Sequence, residues 1–276
     1  ENTRSREGAA ASADAYGRIL GELHRTGICS NLSLKLTQLG LDVDEAMCES
    51  LLRDVLARAE ETFVRIDMES SAYTERTLRL FERLWTAGRR NLGVVIQSYL
   101  RRSEADVEWL IDLGARVRLV KGAYAEPPAV AFPHKRDVDA NFARLADRLL
   151  RRGVYPAIAT HDERLIEGVR QTAAAEDIGP DRFEFQMLYG VRRDLQTRLT
   201  REGCRVRVYV PFGDEWYPYF MRRLAERPAN LMFVLKSVLR ERSSPTGTLF
   251  QNAIVCSCPG QKFAHEIWRG SPPQGA

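Results

Sequence analysis

The segment RLVKGAY, residues 118–124, sets two cations two apolar residues apart and follows them with two small residues. The apolar residues around Arg118 predict a short buried strand that ends near Lys121. Gly122 and Ala123 then let the backbone approach a bound molecule closely. The segment therefore predicts an anion-binding strand end, although cations at a strand end can also simply face solvent.

Polar side chains recur at the ends of the predicted strands. Nine residues fall at or near these ends: Lys35, Asp67, Gln97, Arg118, Lys121, Thr160, His161, Gln186 and Tyr209. In an α/β barrel the carboxyl ends of the strands form the functional face, so this recurrence predicts a site there. Because only Asp67 and His161 are an acid or an imidazole, the set favours anions and a polar cofactor over a metal. Taken singly, Lys35 could be a solvated strand end and His161 a hydrogen-bonded core histidine.

A helix predicted at about 215–226 carries a second charged cluster. Tyr219, Arg222, Arg223 and Glu226 are spaced i, i+3, i+4 and i+7, so they share one helix face. Paired arginines bind carboxylates or phosphates through their forked donors. The alternative is a solvated face with an internal Arg–Glu pair.

Strands and helices alternate along the chain. Seven short strands are predicted, ending near Lys35, Asp67, Gln97, Lys121, Thr160, Gln186 and Tyr209. This rhythm predicts parallel βαβ units and an α/β fold. A TIM-like (βα)8 barrel needs eight strands, so the pattern indicates either an open sheet or a barrel whose first strand lies outside the sequence. Residues 243–276, rich in Ser, Pro and Gly, are predicted to be a loosely ordered tail.

Three local predictions accompany this pattern. The first helix is predicted over residues 12–26, and a strand over 155–159. Ser103 and Asp106 are predicted to cap the fourth helix.

Composition describes a globular chain. Of 276 residues, 44% are hydrophobic and 28% charged, and the net charge is +4. Basic residues are interspersed with acidic ones, so no nucleic-acid footprint is indicated. Five cysteines without framework spacing favour a reducing compartment. Cys256 and Cys258 are too close and too isolated for a zinc site.

Seven stretches of the chain resemble the proline dehydrogenase family. They are SLKLTQLG (33–40), RIDMES (65–70), VVIQSY (94–99), RLVKGAY (118–124), ATHDERLI (159–166), FEFQMLYGVR (183–192) and YVPFGDEWYPYFMRRLAERPANL (209–231). They follow the family's order and cover roughly residues 12–240. Since the family consists of flavin-dependent (βα)8 barrels, the resemblance implies an FAD-binding barrel over residues 1–242.

The family's pattern implies roles for individual positions. Lys35, Arg222 and Arg223 resemble the cations around the proline carboxylate. Leu188, Tyr209 and Tyr219 resemble the walls around the ring. Asp67 and Arg118 match the catalytic pair beside the flavin, and Tyr209 joins them in the implied catalytic set. The positions that match FAD contacts are Met68, Gln97, Arg118, Val120, Lys121, Gly122, Ala123, Thr160, His161, Gln186 and Glu226.

The resemblance also implies a reaction. L-Proline would lose a hydride from the ring carbon next to nitrogen to flavin N5, giving 1-pyrroline-5-carboxylate, which hydrolyses to glutamate semialdehyde. This is the first step of proline degradation to glutamate. Reoxidation by a membrane quinone would make the protein a bacterial cytoplasmic enzyme with peripheral contact at the inner membrane.

The family pattern has a further strand and a helical arm before the position of Glu1. A parallel barrel without one strand exposes two edges. We therefore expect this chain alone to fold poorly or to bind FAD weakly.

Two other functional interpretations of the sequence remain open. Lys121 could be the Schiff-base lysine of a lyase or aldolase barrel. Alternatively, the chain could be an inactive relic or a partner-binding domain that keeps the motifs. Trapping with borohydride would identify the first, and flavin spectra with proline would identify the second.

Overall fold

A computed structural model describes residues 3–210. The chain divides into two units, Glu1–Gln186 and Met187–Ala276. Two predictions lie outside the described residues: the tail over 243–276, and the helix that carries Tyr219, Arg222, Arg223 and Glu226.

The first unit alternates helices with strands, as predicted. In chain order its elements are α1 (Arg6–Thr26), β1 (Asn31–Leu34), a 3₁₀ helix (Leu36–Leu39), α2 (Glu45–Ala59), β2 (Phe63–Ile66), α3 (Ser71–Thr86), β3 (Leu92–Gln97), α4 (Ser103–Asp112), β4 (Arg116–Val120), α5 (Lys135–Arg152), β5 (Ala157–Ala159), α6 (Glu163–Ala175) and β6 (Glu184–Leu188). The last two residues of β6 belong to the second unit, whose described elements are α7 (Arg193–Arg201) and β7 (Val206–Tyr209). Residues 3–210 thus contain the seven predicted strands.

Strands β1 to β5 each pair in parallel with the next strand in the chain, so the pairing runs from β1 to β6. The register sets Arg118 of β4 beside Ala157 of β5, and Ala157 beside Glu184 of β6. Side chains of neighbouring strands in register share a face of the sheet, and residues two apart in one strand do so too. Arg118, Glu184 and Gln186 therefore point to the same side.

The opposite face of the sheet packs against the helices. Val94, Leu119 and Phe185 have at most a trace of exposure, as do helix residues such as Leu52, Phe81 and Phe142. Burial of apolar area at about 25 cal/mol per Å² is the main stabilising contribution in such a core. The helices thereby fix the strands, and the strands fix the polar side chains on the other face.

Local differences from the sequence predictions have local causes. Helix α1 begins at Arg6, earlier than predicted, because Ser5 Oγ accepts from the Gly8 N–H at 3.1 Å and caps the first turn. The predicted cap of α4 is wrong, since Ser103 is the first helical residue and Asp106 instead accepts from Arg102 Nε at 2.8 Å. Strand β5 begins only at Ala157, because Tyr155 has φ +46°, which no strand residue adopts.

None of the helices within residues 3–210 has the length and the apolar composition that crossing a membrane would require.

Candidate active site

Arg118 is the centre of a buried polar cluster on the inner face of the first unit. Its Nη1 donates to Asp67 Oδ1 at 2.6 Å, its Nη2 to Ser33 Oγ at 2.9 Å, and its Nε to Gln186 Oε1 at 2.6 Å. These partners belong to β1, to the residue after β2, and to β6. For Arg118 on β4 to reach all three, the sheet of this unit must curl around it. The side chains of the two residues predicted as a catalytic pair, Asp67 and Arg118, are in direct contact.

The ends of β1 and β2 are tied together beside this cluster. The Asp67 N–H donates to Leu34 O at 2.8 Å. Lys35 follows β1 directly and is the N-cap of the 3₁₀ helix. Glu69, nearly buried, accepts from the Thr37 hydroxyl at 2.7 Å and so holds that helix against the end of β2. Burial raises the pKa of Glu69, and the Thr37 hydrogen bond and the charge of Lys35 only partly offset this.

Lys121, predicted as a cofactor contact, lies between two carboxylates. Its Nζ is 2.6 Å from Asp139 Oδ1 and 2.8 Å from Asp162 Oδ2, and its side chain is 12% exposed. Burial acts to raise the pKa of both aspartates, but hydrogen bonds from the lysine outweigh it and lower the pKa values. A Schiff-base lysine must present its amine to the carbonyl carbon of a substrate. Here two carboxylates contact Nζ instead, so the geometry disfavours the interpretation as a lyase.

Replacing Lys121 by methionine should destabilise the fold in a pH-dependent way. The lowered pKa values of Asp139 and Asp162 give stability that is present above their ordinary value of 3.8 and is lost as pH falls through the folded-state value. We expect a loss of roughly 1 to 3 kcal/mol at pH 7 that shrinks below about pH 4. Urea denaturation of both proteins at several pH values measures this difference.

Lys135→Met is the matched control, because this 74% exposed lysine contacts the same two aspartates from the solvent side. Exposed ion pairs contribute about 0 to 1 kcal/mol. A Lys121→Met loss that stays constant from pH 3 to pH 8 would contradict the role given to the aspartates.

Two features at the ends of β3 and β4 could receive a flat polar cofactor. Gln97 is 3% exposed, and its Oε1 has no hydrogen-bond partner in the described part of the chain. Its Nε2 donates to Met68 O at 3.5 Å, a long hydrogen bond. Gly122 has φ +104°, and a Cβ there would lie 2.3 Å from the Tyr99 ring. The backbone can adopt this conformation so close to the ring only with glycine at this position. A buried, unused acceptor beside close-lying backbone suits a heterocycle with N–H groups.

The remaining predicted residues of the first unit lie at the same strand ends. Thr160 is buried and its hydroxyl accepts from the Asp162 N–H at 3.1 Å. His161 is half-buried, Val120 partly buried and Ala123 exposed. Val120 ends β4, Ala123 follows that strand, and Thr160 and His161 follow β5.

Two predicted residues belong to the second unit. Leu188 O accepts from Gln196 Nε2 at 3.0 Å, and Tyr209 O accepts from the Tyr189 N–H at 2.9 Å. Both side chains are partly exposed. The four predicted residues after 210, Tyr219, Arg222, Arg223 and Glu226, lie outside the described range.

Several partners in these contacts did not emerge as site residues from the sequence: Ser33, Glu69, Asp139, Tyr155, Asp162 and Glu184. One signal existed for Glu184. It stands two residues before Gln186 in a strand, and this spacing places both on one face.

Comparison with known proteins identifies relatives of the chain. The sequence profile described as "Proline dehydrogenase" matches residues 1–236. The chain is 45% identical over 234 residues to the proline dehydrogenase of Deinococcus radiodurans, which covers 83% of this chain and 76% of the relative. It is 47% identical over 214 residues to proline dehydrogenase 1 of Bacillus subtilis strain 168, which covers 77% of this chain and 70% of the relative.

Solved structures resemble the chain as well. The crystal structure of proline utilization A (PutA) from Bdellovibrio bacteriovorus inactivated by N-propargylglycine matches with a TM-score of 0.75 at 25% identity. The match covers 95% of this chain and 33% of the other, so this chain spans about a third of that protein's length. Together with the alternating strands and helices, this likeness confirms the predicted (βα)8 fold class.

Proposed function

Because this chain belongs to the proline dehydrogenase family, we propose that it oxidises L-proline to 1-pyrroline-5-carboxylate in proline catabolism. FAD, when bound, would supply the acceptor for the hydride at its N5 atom. The observation that carries the proposal is the buried contact between Arg118 and Asp67, set at the strand ends that the family motifs occupy.

Arg118 would supply a fixed positive charge beside the reacting groups. It donates three hydrogen bonds, to Ser33 of β1, to Asp67 directly after β2 and to Gln186 of β6, so its orientation is set before anything binds. Charges held in place in a water-poor site stabilise developing negative charge without reorganisation. Asp67 balances that charge and limits the rotation of the guanidinium.

Lys35 would bind the proline carboxylate. It stands directly after β1, and its charge acts on Glu69 near the Arg118–Asp67 pair. The proposal extends to Arg222 and Arg223 as further cations, and to Leu188, Tyr209 and Tyr219 as walls around the ring. Anchoring the carboxylate would leave the ring carbon next to nitrogen as the positioned atom.

The residues at the ends of β3 and β4 fit the cofactor. Gln97 offers a buried acceptor, and Gly122 allows the backbone to lie close. Lys121 donates a hydrogen bond to Asp162 Oδ2 and forms an ion pair with Asp139; since its ammonium has three N–H donors, a donor remains for an anionic group. Met68, Val120, Ala123, Thr160, His161, Gln186 and Glu226 complete the proposed FAD contacts.

A membrane quinone is proposed as the electron acceptor, with peripheral contact at the inner membrane of a bacterial cell. This part of the proposal is supported by family membership alone.

The deciding experiment is an anaerobic titration of the FAD-loaded protein with L-proline. The visible absorption of the bound oxidised flavin should bleach with proline but not with L-valine, which has no ring. Flavin bands that do not bleach would favour the inactive relic. If added FAD gives no bound flavin bands, the proposed function fails for this chain.

Replacing Lys35 by methionine should weaken proline binding. A charge-assisted hydrogen bond to a carboxylate contributes enough to predict a rise in KM of about 10- to 100-fold. Because the contact would exist in both ground and transition states, kcat should change little. Steady-state kinetics with an artificial acceptor measures both constants. Lys135→Met, an exposed lysine on α5, should leave KM unchanged, and an unchanged KM in Lys35→Met would exclude Lys35 as the carboxylate anchor.

A further inference from the structure

The hydrogen bonds around Arg118 continue into a second buried carboxylate. Gln186 Oε1 accepts from Arg118 Nε at 2.6 Å, and Gln186 Nε2 donates to Glu184 Oε1 at 2.5 Å. Glu184 Oε2 accepts from the Tyr155 hydroxyl at 3.2 Å. Exposure is 2% for Glu184 and 3% for Gln186. The amide is thus enclosed between a guanidinium and a carboxylate.

This enclosure determines which way the amide points. A guanidinium only donates hydrogen bonds, and an ionised carboxylate only accepts them. With Glu184 accepting from the NH₂ end, the carbonyl end of Gln186 must face Arg118. In the reversed amide, the NH₂ group would face the donors of Arg118 and the carbonyl oxygen would face the Glu184 carboxylate. Neither hydrogen bond could form, and unmade hydrogen bonds are most unfavourable in a buried site.

We propose that Glu184 is a positioning residue for the oxidation: it orients the Gln186 amide, which in turn holds the Nε side of Arg118. The inference rests on the proposed function, in which Arg118 stands beside the reacting groups. Asp67 holds one side of the guanidinium and Gln186 another. Without Glu184, nothing determines whether the oxygen or the nitrogen of the Gln186 amide faces Arg118.

Tyr155 supports this assignment independently. Its backbone has φ +46°, a region that bulky residues seldom adopt. Its ring lies under the Arg116 guanidinium, 4.4 Å from centroid to cation. From this constrained position its hydroxyl reaches the second oxygen of Glu184. Both carboxylate oxygens are therefore engaged, and the carboxylate plane is fixed.

The first test is Glu184→Gln, which keeps the size of the side chain but lets position 184 present either a donor or an acceptor. Stopped-flow reduction of the FAD-loaded protein by proline should slow about tenfold, the equivalent of one net hydrogen bond. The proline concentration for half-maximal reduction should change less than about twofold, because Lys35 and not Glu184 is the proposed substrate anchor.

The second test exchanges the two side chains, Glu184→Gln with Gln186→Glu. The carboxylate introduced at position 186 accepts from Arg118, and the amide introduced at position 184 donates to it and accepts from Tyr155. The number of hydrogen bonds and the net charge are retained. Because Gln186 is also a proposed FAD contact, the exchange is measured in the cofactor-free protein, where its urea midpoint should return close to that of the unaltered protein. An exchange whose midpoint stays as low as that of Glu184→Gln alone would overturn the proposal.

The cofactor-free protein gives a readout that does not depend on activity. The urea midpoint should fall in Glu184→Gln and recover in the exchange. Asp106→Asn is the control, since this buried carboxylate on α4 binds Arg102, the residue before the helix, outside the cluster. It should lower the midpoint and leave the reduction rate unchanged. Equal slowing in Asp106→Asn would mean that general loss of stability, and not orientation of Arg118, explains the effect.

The experiments distinguish failure of the proposed function from failure of the role proposed for Glu184. If proline does not reduce the unaltered FAD-loaded protein, the proposed function fails, and the role of Glu184 fails with it. If the unaltered protein is reduced and the exchange is not rescued, only the role of Glu184 fails.

Discussion

Replacing Arg118 by lysine should slow flavin reduction by proline about 10²- to 10³-fold, comparable to removing a preorganised donor from an active site. Arg118 donates hydrogen bonds to Asp67, Ser33 and Gln186 from the three nitrogens of its rigid, planar guanidinium. A lysine keeps the charge but concentrates it on a single nitrogen, which cannot reach all three partners. Single-turnover stopped-flow with the FAD-loaded protein measures the rate directly.

The matched control is Arg102→Lys. Arg102 also bridges carboxylates, Asp106 and Glu75, but lies on the helix side with its side chain 40% exposed. The Arg102→Lys variant should have a reduction rate within about twofold of that of the unaltered protein, since exposed ion pairs contribute little. If Arg118→Lys retained most of the rate, charge alone would be sufficient, and the fixed geometry would have no catalytic role.

Replacing Gly122 by alanine should be the most disruptive small substitution at the site. The backbone there has φ +104°, and the added Cβ would meet the Tyr99 ring at 2.3 Å. Tyr99 is 7% exposed and packs with Leu100 and Ala131, so its ring has little room to move. Backbone strain and overpacking together predict a loss of roughly 2 to 4 kcal/mol in the free energy of unfolding. Urea denaturation of the cofactor-free protein measures this loss.

Gly21→Ala serves as the control for Gly122→Ala. Gly21 lies within helix α1, and a Cβ there would meet no atom within 4 Å. Alanine should therefore stabilise that helix by about 0.5 to 1 kcal/mol. A Gly122→Ala variant as stable as the unaltered protein would mean that the loop after β4 rearranges easily, and that glycine is not required there.

The alternation of elements and the face on which the site lies could be predicted from the sequence. Short apolar strands separated by helical patterns admit few arrangements other than parallel βαβ units. In such units the carboxyl ends of the strands meet at one edge, so residues such as Lys35, Asp67, Gln97 and Lys121 had to lie near one another. The family motifs then paired Asp67 with Arg118, and the two side chains are in contact.

Which side chains bond to one another was decided by the tertiary structure. Ser33 and Arg118 are 85 residues apart, and they meet only because the sheet curls and its register brings β1 opposite β4. The aspartates beside Lys121 come from α5 and from the start of α6, and nothing in the RLVKGAY motif indicates them. Glu184 could be placed on the face of Gln186 by the two-residue period of a strand, but not in contact with its amide. A sequence pattern is local and determines the direction of a side chain along its own element. The partner of that side chain depends on strand curl, register and helix packing, which the whole core determines together.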